Sequence, residues 1–589
     1  MRYSDLLCDW LKELGFTHCF FVAGGNIMHL VASASKRFKC IPVVHEVAAG
    51  VAAEYFNESS GSARAFAMVT AGPGLTNIVT ALGGAWLESR ELLVIGGQVK
   101  TADLSHGALR QRGIQEICGV DIARPITLHA ALLDDVIDQQ TFARYVQDGA
   151  TARKGPVFLE IPLDVQGREV DPARLKLTEG ETETRIVPSV PQAALTKLAQ
   201  DLKASERPML LLGGGLDRST TAKLQDRLAT TGIPLATTWN GADRIGADHP
   251  MYFGRPNTWG QRYSNLVLQQ SDLVVALGTR LGLQQTGFNH QEFLPGGRIV
   301  QVDCDEAELN KGHPKVDMAL QGDANEVLER LVAQDLGDHS KWVAYCRMVK
   351  EKLPIVEPGN TTGAGYISPF VFAQQLSRLS QPHDVVIPCS SGGAFTVMMQ
   401  AFDQKNGQII VTNKGLASMG YGLSGAIGAA FAHPDRRVLL VEGDGGFAQN
   451  LQELGTAAIN RLNLKIFIFD DGGYASIRMT QRNYFGGAYV GCDRVTGLGL
   501  PDWETLFSAY RIPCLRIGPG FAHEEAFSRL FDAPGTSAFL VSIDPEQTYF
   551  PKITSRVTES GSMESNPLHR MSPDLDPDLY KKVGHYIGN

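Results

Sequence analysis

The sequence predicts an α/β protein of three doubly wound parallel-sheet domains. Three observations carry that expectation: short apolar runs alternate with helical periods, glycines cluster directly after the apolar runs, and this rhythm restarts twice within 589 residues. The opening stretch MRYSDLLCDWLKELG sets Leu6, Leu7, Trp10, Leu11 and Leu14 at helical spacing among charges. That predicts an amphipathic helix, not a secretory leader. FTHCFFVAGG, IPVVHE, AFAMVTAGPG and LLVIGG then read as strands of a first domain over 1–175. After the polar stretch GREVDPARLKLTEGETETR, MLLLGGG opens a second domain over 190–335, continued by LVVALGTR and RIVQVDCD. A third, over 365–550, carries VVIPCSSGG, IIVTNKG, VLLVEGDGG and IFIFDDGG. The polar tail, 551–589, reads as a surface loop and a candidate lid.

Composition narrows the class. With 43% hydrophobic residues each domain can bury a core, which excludes disorder and collagen-like repeats. The formal net charge of -9 argues against general attraction to nucleic acid or anionic lipid. No apolar run approaches the ~20 residues of a membrane helix. Nine cysteines without a C-x-x-C pair point to thiols in a reducing cytoplasm.

The chemistry is concentrated in the third domain. Gly443-Asp444-Gly445-Gly446 follows the strand RVLLVE directly, and Asp470-Asp471-Gly472-Gly473-Tyr474 ends the next strand. Ligands of parallel sheets collect at the carboxyl ends of strands, so Asp444 and Asp471 are expected to converge. Carboxylate oxygens suit Mg²⁺, and glycines at a helix start offer backbone N–H groups to a diphosphate.

On these motifs the chain resembles the thiamine diphosphate enzymes of the acetohydroxyacid synthase family over nearly its whole length. The family's GDG motif is followed by a second segment in which asparagine stands where this chain has Asp471. The resemblance implies that Asp444, Asp471 and the Gly473 carbonyl hold Mg²⁺, and that Gly445 and Gly446 meet the diphosphate. Ser391, Gly392, Tyr474 and Ile477 are implied to line the cofactor. In IPVVHEVAAG, Glu46 matches the glutamate that hydrogen-bonds N1′ of the aminopyrimidine and so promotes loss of the thiazolium C2 proton. His45 beside it reads as structural. In GLASMGYG, Met419 matches the wedge that bends the cofactor, and Ala417 offers a carbonyl to its amino group. Gly72 and Asn77 lie in a segment like the family's SGPGATN; Gly25, Asn26 and Gln115 fall where the family lines the reacting centre.

The central domain is implied to bind FAD, against an empty or ADP-type alternative. Gly213, Gly214, Gly278, Arg280, Asp303 and Asp323 would face its phosphates, ribose and adenine, and Thr258, Trp259 and Gly260 its flavin, although three glycines also make an ordinary tight turn.

Several departures bear on the reaction. Decarboxylase relatives carry a His-His pair and an Ile-Glu step; this chain has isolated His106 and His129, and Ile477-Arg478. Thr480 stands where the synthases have a tryptophan, and Ile114 replaces their phenylalanine. The expected activity is a carboligase that decarboxylates a 2-oxo acid, pyruvate first, and passes the two-carbon unit to a ketone or keto-sugar. A simple decarboxylase, a diketone-cleaving lyase and a non-catalytic subunit are the alternatives. Arg478 is expected either to pair with a substrate carboxylate or phosphate, or to sit solvated on a helix face. The family also implies a homodimer or homotetramer.

Overall fold

A computed structural model describes residues 1–176, 185–557, 561 and 563–587. Its strands form three parallel sheets. The first contains β1 (Phe16–Phe21), β2 (Lys39–Pro42), β3 (Arg64–Val69), β4 (Leu92–Gln98), β5 (His129–Leu132) and β6 (Pro156–Pro162), in the order β2-β1-β3-β4-β6-β5. The second contains β7 (Pro208–Leu212), β8 (Leu235–Thr237), β9 (Leu273–Leu277), β10 (Arg298–Asp303) and β11 (Met318–Gln321), in the order β11-β10-β9-β7-β8. The third contains β12 (Val385–Ile387), β13 (Ile409–Ile410), β14 (Val438–Gly443), β15 (Leu464–Asp470), β16 (Cys514–Ile517) and β17 (Ser537–Ser542), in the order β13-β12-β14-β15-β17-β16. Strands such as PMLLL and PVFLEIP are buried throughout, which is why they read as continuous apolar runs rather than alternating ones.

Each sheet has a point where the strand order reverses, between β1 and β3, between β7 and β9, and between β12 and β14. A crevice opens beyond the carboxyl ends of the strands at such a point. Gly24–Asn26 and Thr70–Gly72 leave β1 and β3, Gly213–Gly215 and Gly278–Arg280 leave β7 and β9, and Ser390–Gly392 and Asp444 leave β12 and β14.

The chain folds as two compact units. One comprises residues 1–186, 384–394 and 411–541; the other comprises 187–383, 395–410 and 542–589. In the first unit the N-terminal helix Tyr3–Glu13 buries Leu6, Leu7, Trp10 and Leu11, the apolar face its spacing predicts. The Glu46–Ser59 helix packs on the Tyr421–Ala432 helix through small residues. A Cβ at Gly428 would lie 2.1 Å from the Ala52 carbonyl oxygen, and one at Gly425 would lie 2.5 Å from the Tyr55 ring, so only glycine allows this approach.

The described part of the tail packs on the second unit. Leu568, Met571 and Val583 are buried. Arg262 donates to the Met571 and Pro573 carbonyls, and Asn265 Nδ2 donates to the Leu568 carbonyl. The apolar residues interspersed in that polar stretch supply the anchor. The linker residues 177–184 and tail residues 558–560, 562, 588 and 589 lie outside the described residues.

Candidate active site

The register of the third sheet sets Gly443 of β14 opposite Phe469 of β15, so the two acid-bearing turns leave the sheet side by side. Asp444 is fully buried, and its carboxylate accepts from Gly445 N (2.6 Å) and Gly472 N (2.9 Å). Asp471 is also buried. Arg478 Nη2 donates to its backbone carbonyl (2.9 Å) and to its carboxylate (3.1 Å). Arg478 is therefore neither on a solvated helix face nor extended towards a substrate; it is the buried counter-ion of Asp471.

Burial, and then the charges of Asp471 and Asp470, push the Asp444 carboxyl well up. Burial pushes Asp471 up to about 7, with Arg478 pulling the other way. Two acids that resist ionisation beside one guanidinium form a site that a divalent cation would neutralise. Cβ atoms added at Gly392, Gly443 or Gly472 would meet nothing within 4 Å, so glycines leave open space around the acids. Gly445 packs on the Tyr474 ring, and Gly473, at φ 149°, lies against the Cys492 carbonyl. Among the described residues, no group of three or more His, Cys, Asp or Glu side chains forms a metal cage. Two carboxylates with a backbone carbonyl, next to a glycine cradle, suit Mg²⁺ and a diphosphate.

The first sheet brings its predicted residues to one edge. Glu46 begins the Glu46–Ser59 helix just beyond β2, is buried, and accepts from Asn77 Nδ2 at 2.9 Å. His45 is the structural residue expected: its ring accepts from Val47 N as the helix N-cap. Asn26 N donates to Thr70 Oγ1 (3.4 Å), while Gly25 is exposed beside it. Gly72, at φ 65°, lies so close to Gln115 that a Cβ would stand 2.5 Å from the Gln115 carbonyl oxygen. Gln115, Cys389 and Ala417 are non-glycine residues held at positive φ, and all three lie in loops of the predicted site. Such backbone persists only where surroundings enforce it. Ser390 Oγ donates to the Ser418 carbonyl, joining the Ser391–Gly392 turn to the Ala417–Met419 loop. Gln449 Nε2 approaches the Met419 sulfur at 3.6 Å. Ile477, Thr480 and Ile114 are exposed. His129 Nε2 is hydrogen-bonded to the Asp148 carboxylate at 2.7 Å.

Glu442 went unnoticed in the sequence. It is buried against the start of the Tyr421–Ala432 helix, where a Cβ at Gly422 would lie 2.3 Å from its Oε2. Burial pushes its pKa up to about 8. An acid within the apolar run RVLLVE was its only signal.

In the second unit the predicted residues do local work. Gly213 and Gly215 donate to the Leu277 and Gly278 carbonyls, and a Cβ at Gly213 would sit 2.1 Å from Gly278 O. Arg244 donates to the Leu216 and Gly214 carbonyls. Asp303 accepts from Asp305 N, and Asp323 caps the Ala324–Leu331 helix. Thr258 O accepts from Ile553 N, Lys552 lies 5.4 Å over the Trp259 ring, Gly260 N closes a turn on Asn257, and the Arg280 carbonyl accepts from Lys311. These glycines are required by the packing of their own loops.

Fold and site together define an α/β protein with paired buried acids and a glycine cradle at the carboxyl ends of its third sheet. Comparison with known proteins agrees. The chain matches the description "Thiamine pyrophosphate enzyme, N-terminal TPP binding domain" over residues 1–121, "Thiamine pyrophosphate enzyme, central domain" over 195–331, and "Thiamine pyrophosphate enzyme, C-terminal TPP binding domain" over 391–541. It is 29% identical over 571 residues to acetolactate synthase isozyme 2 large subunit of Escherichia coli (strain K12), covering 96% of this chain and 100% of that one. It is 30% identical over 526 residues to the acetolactate synthase large subunit of Corynebacterium glutamicum, covering 86% and 81%. It is 30% identical over 539 residues to the probable acetolactate synthase large subunit of Methanocaldococcus jannaschii, covering 88% of each. The chain belongs to the thiamine pyrophosphate enzyme family, in its acetolactate synthase-like group.

Proposed function

We propose that the protein decarboxylates a 2-oxo acid, pyruvate first, and transfers the two-carbon unit to a second carbonyl compound, a ketone or keto-sugar. One observation carries the choice of ligation over aldehyde release. Where decarboxylase relatives place an acid after isoleucine, this chain has Arg478, and its guanidinium is committed to Asp471. No proton donor then stands at that position. The exposed Thr480 and Ile114, in place of larger aromatic residues, favour an acceptor bulkier than the usual one.

Thiamine diphosphate, when bound, supplies a nucleophilic carbon and an electron sink for loss of CO₂. In this reading Asp444, Asp471 and the Gly473 carbonyl hold Mg²⁺, and Gly445 and Gly446 turn backbone N–H groups to the diphosphate. Glu46, oriented by Asn77, exchanges a proton with the aminopyrimidine ring. Ala417 offers its carbonyl to the exocyclic amine, and Met419 supports the bent cofactor. Gly25, Asn26 and Gln115 border the reacting carbonyl. FAD at the switch point of the central sheet belongs to the same proposal, supported by the convergence there of Gly213–Gly215 and Gly278–Arg280. A purified chain without flavin absorbance but with full activity would remove it. A homodimer in the cytoplasm is proposed as well. Nine free thiols support the compartment, and exposed Tyr484, Phe485, Val490 and Val495 support a protein partner.

The test is a mass-spectrometric screen of pyruvate with and without a panel of ketones and keto-sugars. A tertiary alcohol formed with loss of CO₂ is expected. Acetaldehyde as the sole product under every condition would establish the decarboxylase alternative instead. No helix among the described residues is long and apolar enough to cross a membrane, so purification without detergent is expected to suffice.

A further inference from the structure

We propose that Glu453 is a positioning residue that sets the backbone from which Glu46 projects; the inference rests on the role given above to Glu46. Glu453 closes the short turn Leu451–Glu453, nine positions beyond Asp444, and is fully buried. Its carboxylate does not serve its own turn alone. Oε1 accepts from Val44 N (3.1 Å) and His45 N (3.0 Å), and Oε2 accepts from Thr456 Oγ1 at 2.7 Å.

Val44 and His45 are the two residues immediately before Glu46; the helix that follows engages the His45 carbonyl and ring, through Ala48 N (3.0 Å) and Val47 N (3.3 Å), while the N–H groups of Val44 and His45 both go to Glu453. The sheet stops at Pro42, and Val43 N makes the last bond to it, donating to Phe21 O at 3.0 Å. The Val44 side chain is 59% exposed, so apolar packing does not fix this turn. Hydrogen bonding does, in sequence: Phe21 O accepts from Val43 N, Glu453 from Val44 N and His45 N, the His45 ring from Val47 N, and the Glu46 carboxylate from Asn77 Nδ2. Glu453 is the only charged member that reaches the turn from the segment carrying Asp444, 408 positions away from His45. It therefore ties the turn before Glu46 to the segment that carries Asp444. Bonds from backbone N–H groups to a buried carboxylate are strong and directional, and a small displacement of a proton-exchanging group is costly to rate.

Four variants test this: Glu453→Ala, Glu453→Gln, Glu46→Gln and the double variant Glu46→Gln/Glu453→Ala. With loaded enzyme, Glu453→Ala is expected to lower kcat about 10- to 100-fold while the Kd for thiamine diphosphate, read by intrinsic fluorescence, moves less than about threefold. Glu453→Gln keeps one carbonyl oxygen for the two N–H groups and is expected to lose less. The double variant is expected to be no slower than Glu46→Gln alone, because Glu453 acts through Glu46. In the protein without cofactor, hydrogen–deuterium exchange of peptides covering 43–47 is expected to accelerate about tenfold or more in Glu453→Ala, with residues 48–59 still protected.

Losses that multiply in the double variant, a Kd that rises in step with the fall in kcat, or unaltered exchange at 43–47 would each overturn the proposal. If Glu453→Ala does not fold, Glu453→Gln carries the same comparisons. Full turnover in Glu46→Gln would instead discard the functional reading, while exchange at 43–47 would still report whether the clamp exists.

Discussion

The third and second sheets both end strands in acid–glycine turns, yet the acids differ in what surrounds them. In the second, Asp323 stands in solvent and serves as a helix N-cap, its charge hydrated and its oxygens engaged by Asn325. In the third, Asp444 and Asp471 are buried against one another with a single guanidinium for company. Burial and like charge make their ionisation costly, and that cost is what a divalent cation removes. The same Gly-Asp pattern thus marks an exposed cap in one place and, in the proposed reading, a metal position in another. Solvent exposure, not residue type, separates them.

Four substitutions sharpen that contrast or break it. Asp471→Ala is expected to weaken Mg²⁺-dependent binding of thiamine diphosphate about 100-fold, measured by calorimetric titration, whereas Asp323→Ala leaves that affinity within about twofold. Equal losses would erase the distinction.

Glu160, inside the first sheet with Gln98 as its side-chain partner, isolates burial from charge pairing; burial raises its pKa to about 8. At low pH both folded and unfolded states keep its proton. Between the ordinary carboxylate range and about 8, the unfolded chain has released a proton that the folded chain retains, so stability falls as pH rises. Glu160→Gln lacks this term, and its stability relative to the parent is expected to improve by about 2 kcal/mol between pH 5 and pH 8 in urea unfolding. A constant difference across that range would contradict the burial argument.

Arg478→Gln removes the guanidinium that shares Asp471 with the metal. Affinity for Mn²⁺, read by electron paramagnetic resonance, is expected to rise about three- to tenfold; a fall would mean that Arg478 organises the site instead of competing for it. The smallest effect belongs to the cap: Asp323→Ala is expected to cost about 1 kcal/mol of stability in the same unfolding experiment.

Much of this was legible from residues alone. Continuous apolar runs followed by glycines announced buried parallel strands, and GDG at a strand end announced the acid pair, because both signals depend on neighbours in sequence. What escaped was long-range. Arg478 lies seven residues beyond Asp471, in the first turn of the following helix, but nothing in SIRMTQ says that it folds back. Glu453 reads as one more acid on a surface helix until Val44 and His45 are seen to donate to it. The tail reads as a polar loop draped on the surface, and its charges hide the burial of Leu568, Met571 and Val583 among them. The glycines of the central sheet suit either a tight turn or a nucleotide, and the close approach of their two loops to each other could not be read from the sequence.

The central claim is that Glu46 exchanges the proton that makes the bound cofactor reactive. Its most direct test is single-turnover consumption of pyruvate by the Glu46→Gln variant saturated with thiamine diphosphate and Mg²⁺. The account predicts a rate at least about 100-fold below the parent, with cofactor affinity within about threefold. Pyruvate consumed at the parental rate by that variant would contradict it.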